Sequence, residues 1–288
     1  MANLSEAVND VSGLISLPDV YLRIRGMIND PKAKMADFAK VISSDPNISI
    51  RVLRMANSAF FGFATQVDSL TRAISIMGTS HLHDLVLGAA AIRSFARIPN
   101  NIVDTESYWR KSVFCGISAR LLANKLNFLD TDRLFVAGLL HDVGHLLIYH
   151  KFPDLSIEAI DLSLNQEMPL FLAERKLIGF DYGQAGSELM RRWRLPESYQ
   201  ETTERHMEPQ MADKFRLETA VIHIARNMAA STDKVAASGL PETIDPFVWE
   251  VTGLTEDVIE PTLQETHNHV ADVAKLMQFD CQQTAVSA

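Results

Sequence analysis

The chain has 288 residues, 47% hydrophobic and 22% charged, with 27 Lys and Arg against 36 Asp and Glu for a net charge of −9. This profile suits one large globular domain or two small ones, with a core that needs no disulfide or metal staple, and it excludes disorder except at the ends. The acidic balance and the lack of a long basic run exclude nucleic acid as the main partner, because a phosphate-backbone binder gathers Lys and Arg on one face.

The one short basic cluster, Arg191, Arg192 and Arg194, reads as a solvated helix end favoured by the helix dipole. Two cysteines far apart, Cys115 and Cys281, read as reduced thiols rather than a disulfide framework. The opening MANLSEAVNDVSG carries acids and no long apolar run, which does not describe a signal peptide. No stretch reaches the roughly 18 uninterrupted apolar residues of a membrane span, so no membrane partner is expected. The expected location is cytoplasmic.

Helical periodicity dominates. Met35, Phe38, Ala39 and Ile42 recur every three or four residues and predict a helix over 35–42. Asp45-Pro46 then supplies a cap and a first-turn proline for a helix whose buried stripe is Ile48, Val52, Leu53 and Ala56. It ends at Asn57-Ser58 and the loop Phe60-Phe61-Gly62. Helices at about 69–77 and 80–95 are separated by Gly78-Thr79, and Pro99-Asn100-Asn101 marks a linker. A long helix spans about 106–127. Asp130 or Thr131 caps the next, which carries Leu134, Phe135, Ala137, Gly138, Leu139 and Leu140 and is apolar nearly all round, hence central. Further helices are expected at about 154–165, 169–178, 182–193, 197–206 and 213–230, with a capping box at Asp181 and Gln184. A polar linker over 231–245 precedes a short helix from Pro246 and a last one, capped by Thr255, reaching about 278. Its stripe is Val258, Ile259, Leu263, Val270, Val273, Ala274 and Met277. No segment alternates with period two, so the fold class is all-α.

The most informative string is Gly138-Leu139-Leu140-His141-Asp142-Val143-Gly144-His145. A His-Asp pair in an apolar helix is costly unless both groups are satisfied, and imidazole with carboxylate is a good ligand set for a divalent transition metal. Gly144 permits close helix packing. Other histidine pairs are poorer chelators: His81 with His83, and His267 with His269, would lie about 200° apart on a helix. Ser58 lacks the glycines of a hydrolase elbow. Asn57 reads as a helix-end residue bonding local backbone, and Phe60-Phe61 as core.

Several ordered strings accompany the His-Asp pair. They are Leu17-Pro18-Asp19, Ile42-Ser43-Ser44-Asp45-Pro46, Asn57-Ser58-Ala59-Phe60-Phe61-Gly62, Arg72-Ala73-Ile74 and Met77-Gly78. Trp109-Arg110-Lys111-Ser112, Trp193-Arg194-Leu195-Pro196 and Val221-Ile222-His223-Ile224-Ala225 follow. Together they make the chain resemble the HDOD (HD-related output domain) family over roughly residues 15–230. The resemblance implies an N-terminal helical subdomain (15–103) packed on an HD-like helical bundle (104–230). A lead segment (1–14) would precede them, and the linker and a C-terminal helical extension (246–288) would follow. It also implies bacterial signal transduction, usually without demonstrated catalysis.

Matched position by position, this chain departs from the catalytic HD pattern. The first histidine of that pattern is Lys111, the histidine after Asp181 is Tyr182, a pair of histidines is His206 and Met207, and the late aspartate is Arg226. His141 and Asp142 remain. A catalytic metal needs about three protein ligands and an open position, whereas two candidate ligands here are permanent cations. The expectation is no catalytic residue, no cofactor and a vestigial pocket of His141, Asp142, Lys111, Tyr182, His206 and Arg226, with Asp142 salt-bridged to Lys111 or Arg226. Any residual divalent-metal site would use His141, Asp142, His145 and His206. The expected function is a non-catalytic signalling or scaffold module that binds a protein partner or small ligand. The alternative is a metal-dependent phosphohydrolase acting on a nucleotide or cyclic dinucleotide.

Overall fold

A computed structural model describes residues 2–13, 15–28, 30–58, 60, 66–95, 101–231 and 243–276. Phe61, Gly62, Pro99, Asn100, most of the 231–245 linker, Met277 and Cys281 lie outside the described residues. Regular structure among the described residues is helical throughout, without a strand, as the three-and-four spacing requires. Backbone contacts divide the chain into two compact units. One comprises Met1–Ile15 with Ile98–Asn268, the other Ser16–Arg97 with His269–Ala288.

Helix α1 (Leu4–Ser12) was not anticipated from the sequence. Its Ala7, Val8 and Val11 are buried, so the lead segment is part of the first unit's core. The second unit holds α2 (Asp19–Ile28), α3 (Met35–Ser43), α4 (Pro46–Ala56) and α5 (Leu70–Phe95). Helices α2, α3 and α4 each pack on α5. The start of α4 follows the sequence logic: Asp45 accepts from the amides of Asn47 and Ile48, and Arg93 of α5 pairs with the same carboxyl group. Its buried stripe takes Met55 in place of the expected Leu53. The two helices expected on either side of Gly78 are present, labelled together here as α5, and Gly78 at φ 81°, a conformation side chains disfavour, breaks the helical path between them. Asn57 is a local clip: its side chain donates to the carbonyls of Leu53 and Val67 and accepts from the Val67 amide, closing the loop between them.

The first unit continues with α6 (Thr105–Lys125), α7 (Thr131–Leu140), α8 (Val143–Lys151), α9 (Pro153–Gln166) and α10 (Leu170–Leu177). Then come α11 (Tyr182–Arg192), α12 (Glu197–Arg205) and α13 (Arg216–Ala230). The capping box at Asp181 and Gln184 forms in full. Helix α6 packs on α7 and α13, and α11 packs on α8, α12 and α1. Glycines permit two of these close approaches. A Cβ on Gly144 would lie 1.8 Å from the Tyr182 carbonyl oxygen, and one on Gly138 would lie 2.8 Å from Gly116 Cα. Arg191 and Arg192 of the basic cluster are not a free patch: both pair with Glu188, and Arg192 also donates to Asn9 and to the Ser5 carbonyl of α1.

The structure corrects the placement of the His-Asp pair. It does not lie within one helix. Helix α7 ends at Leu140, His141 is its C-cap, and Asp142 (φ −107°, ψ 1°) turns the chain into α8. The turn breaks the axis, so the carboxylate reaches forward to α8 instead of sideways off a continuous helix.

The chain closes with α14 (Phe247–Thr252), packed on α13, and α15 (Ile259–Leu276). Of the expected apolar stripe of α15, Val273 is fully buried and Ile259, Leu263, Val270 and Ala274 are half-buried, and Thr262 and Thr266 are fully buried as well. Each threonine hydroxyl donates to the carbonyl four residues back, and Thr266 also meets Ser118 of α6 at 3.1 Å. Threonine is tolerated here because its polar atom is satisfied before it is buried.

Candidate functional site

The site lies inside the first unit, where the α7–α8 turn meets α6, α10, α11 and α13. His141 is 1% exposed, Asp142 7%, His145 4% and His206 0%. Burial of four such groups demands that each find a partner.

Two imidazoles solve this alike. His141 Nδ1–H donates to the Gly138 carbonyl at 2.7 Å, and His206 Nδ1–H donates to the Thr203 carbonyl at 2.8 Å. A carbonyl only accepts, so each ring carries its proton on Nδ1 and a lone pair on Nε2. The rings meet edge-on with centroids 5.2 Å apart. Burial drives both toward neutrality, and the charges of Arg226 on both rings and Lys111 on His141 add to it. His141 is pushed down to about 4, and His206 lies well below the usual histidine range.

His145 is the opposite case. Its Nδ1 lies 2.6 Å from Asp142 Oδ1, and its Nε2 lies 3.3 Å from Glu174 Oε1, an ion-pair distance without hydrogen-bond alignment. Tyr182 stacks on the ring at 3.8 Å and Tyr149 at 5.1 Å, with interplanar angles of 22° and 16°. Burial opposes charge on this ring, yet the two carboxylates outweigh it and raise the pKa to about 9. The result is an imidazolium with acids at its edges and phenol rings near its faces, where the ring quadrupole also favours a cation. Asp142 is held well below the usual carboxylate range: burial resists this, and the His145 charge foremost, with Lys111, overcomes it. Burial pushes Glu174 up, and its other oxygen accepts from the Tyr182 amide at 2.9 Å.

The structure thus gathers His141, Asp142, His145, Tyr182 and His206 by direct contact, while Lys111 and Arg226 act on them through their charge. Tyr182 occupies its position as a packing ring over His145. Glu174 was missed by the sequence reading, because it belongs to no motif. A signal existed: Glu174 falls four after Leu170 and three before Leu177, on the face of α10 that packs inward. His81 and His83 do not chelate. His81 bonds the Met77 carbonyl, and buried His83 bridges Tyr21 and Asp84 in the second unit.

These side chains do not fit a catalytic metal as arranged. His145 has a carboxylate oxygen facing each ring nitrogen, and their charges favour its protonated form, which offers no lone pair. Asp142 is committed to that ring through Oδ1, and two fixed cations bear on what remains, the Nε2 atoms of His141 and His206. Among the described residues no cluster of three or more His, Cys, Asp or Glu side chains is disposed to hold an ion. A surface groove of about 460 Å³ lies elsewhere in this unit, between α11 and α12. Its Glu188 and Glu201 are already engaged, the latter by the Asp213 and Lys214 amides. No helix among the described residues is long and apolar enough to cross a membrane.

Comparison with known proteins agrees with this architecture. An HDOD domain protein of unknown function from Geobacter sulfurreducens superposes with a TM-score of 0.72 at 23% identity, covering 95% of this chain and 96% of its own. A protein of Shewanella amazonensis SB2B named as a candidate phosphohydrolase gives 0.74 at 22% identity, covering 94% and 98%. These likenesses show the fold. An uncharacterised protein of Treponema pallidum (strain Nichols) is 23% identical over 198 residues, which are 68% of this chain; the chain spans 37% of that relative's length. The model of the HDOD domain matches residues 14–209. On that match, and on the helical fold that carries it, the chain belongs to the HDOD family.

Proposed function

We propose that this chain is a non-catalytic signalling or scaffold module that works by binding a protein partner, and that its His-Asp pocket has become a structural element. The observation that carries this reading is the placement of buried His145 between Asp142 at 2.6 Å and Glu174 at 3.3 Å. In a metal-dependent phosphohydrolase the ion supplies the positive charge that polarises phosphoryl oxygen and activates water. Here an internal cation neutralises the same aspartate, so the pocket is complete without an ion. The reading gains support from Lys111 and Arg226, whose fixed charges oppose a divalent cation near His141.

One observation favours the alternative, a phosphohydrolase: His141 and His206 keep two Nε2 lone pairs in one pocket. Elemental analysis of the purified chain, followed by phosphodiester hydrolysis assays with added manganese or iron, separates the two. We expect metal well below one equivalent and no turnover above buffer. Stoichiometric metal with turnover abolished by Asp142→Ala would overturn the proposal.

A further inference from the structure

Helix α9 turns large apolar side chains both toward its own core and away from it. Its buried residues are the small ones, Ser156, Ala159 and Ser163, which let it lie close to α10. Ile160 and Leu162 pack half-buried against that core, whereas two other large apolar residues face outward: Ile157 is 51% exposed and Leu164 48%. At about 100° per residue these two lie within about 20° of each other and about 120° round the helix from the buried stripe, with half-buried Ile160 beside them. Along one flank run Asp154, Glu158 and Asp161, all exposed. None of the three makes an ion pair among the described residues.

An apolar ridge beside an unpaired acidic row selects its occupant. An anionic membrane surface would be repelled by the carboxylates, since interfacial helices carry Lys and Arg on the polar face. Nucleic acid is excluded by the same charge. A second copy of this chain, docked antiparallel through a two-fold axis across α9, would set the acidic row against itself. A helix with a Leu- or Ile-type stripe flanked by Lys or Arg satisfies both features, burying the ridge and pairing the acids. We infer that the exposed face of α9, through Ile157, Leu164 and the row Asp154, Glu158 and Asp161, is the docking site for a basic amphipathic helix of a partner protein. This rests on the reading of the chain as a binding module and names the face it would use.

The test uses the full chain and a fluorescent synthetic helix with a leucine stripe flanked by lysines, alongside a version with glutamate for every lysine. The lysine peptide should bind, lose affinity as salt rises, and perturb backbone amide resonances over 154–164; the glutamate peptide should not bind. Ile157→Ser with Leu164→Ser, and separately Asp154→Asn with Glu158→Gln and Asp161→Asn, should each weaken binding at least tenfold with unchanged melting curves, since all five sites are exposed. No binding, binding indifferent to both variants, or self-association abolished by Leu164→Ser would overturn the inference. These outcomes leave the metal and turnover measurements untouched, so loss of this face and loss of the non-catalytic reading are told apart.

Discussion

At the scale of single residues, His145 controls the pocket, and its protonation sets a pH signature. Its pKa rises from 6.5 to about 9 on folding, worth on the order of 3 kcal/mol. A base with a raised folded pKa stabilises fully below its unfolded value and loses that contribution as pH climbs through the folded one. Stability should therefore fall between about pH 6.5 and 9 as His145 deprotonates. His141 has the opposite sign. Its folded pKa, about 4, lies below 6.5, so its contribution is full above 6.5 and is lost as pH drops toward 4. Urea unfolding from pH 4 to 10 should give a dome with its maximum near pH 6.5, and His145→Gln should flatten the alkaline limb. A limb unchanged in that variant would rule out the imidazolium. Asp142→Ala would strand that cation and should cost roughly 3–5 kcal/mol, whereas Asp142→Asn, which keeps the volume and one acceptor, should cost less. Denaturant midpoints of the two variants check the order.

At the scale of helices, the architecture depends on where two backbones can touch. The Gly144 Cα sits where a methyl group would collide with the Tyr182 carbonyl, so Gly144→Ala must separate α8 from α11 and displace the ring that covers His145. We expect a loss of about 3 kcal/mol or more. Gly26, inside α2 with nothing within 4 Å of its added methyl, is the counter-case. There Gly26→Ala should stabilise by roughly 0.5–1 kcal/mol, because alanine loses less backbone entropy in a helix. Thermal melts of the pair test whether close approach, not helix propensity, is the constraint at Gly144.

At the scale of the whole molecule, the ends of the chain contribute to the first unit. Helix α1 buries Ala7, Val8 and Val11, and α14 buries Val248 against α13. Removing residues from 246 onward should expose the α13 surface that α14 covers and leave Ser118 without its Thr266 partner. A loss of about 2 kcal/mol corresponds to a Tm lower by roughly 4–8 °C for a domain of this size. Differential scanning calorimetry of the truncated chain measures it, and an unchanged Tm would mean that α14 and α15 contribute no net stability.

The sequence by itself determined the local grammar of this protein. Periodicity every three or four residues, Asp45-Pro46, the Asp181–Gln184 box and the break at Gly78 are read from near neighbours, and helices depend on near neighbours. The ordered motifs likewise pointed to the family, and Lys111, Tyr182 and Arg226 marked its departures. Only the tertiary structure shows what surrounds those residues. Glu174 stands 32 residues beyond Asp142 without a motif, and its role exists only because α10 brings it to the other edge of the His145 ring. The turn at Asp142, the inward threonines of α15 and the outward Ile157 and Leu164 of α9 share one cause. Periodicity identifies a helix, but the packing of neighbouring helices selects which of its faces is buried.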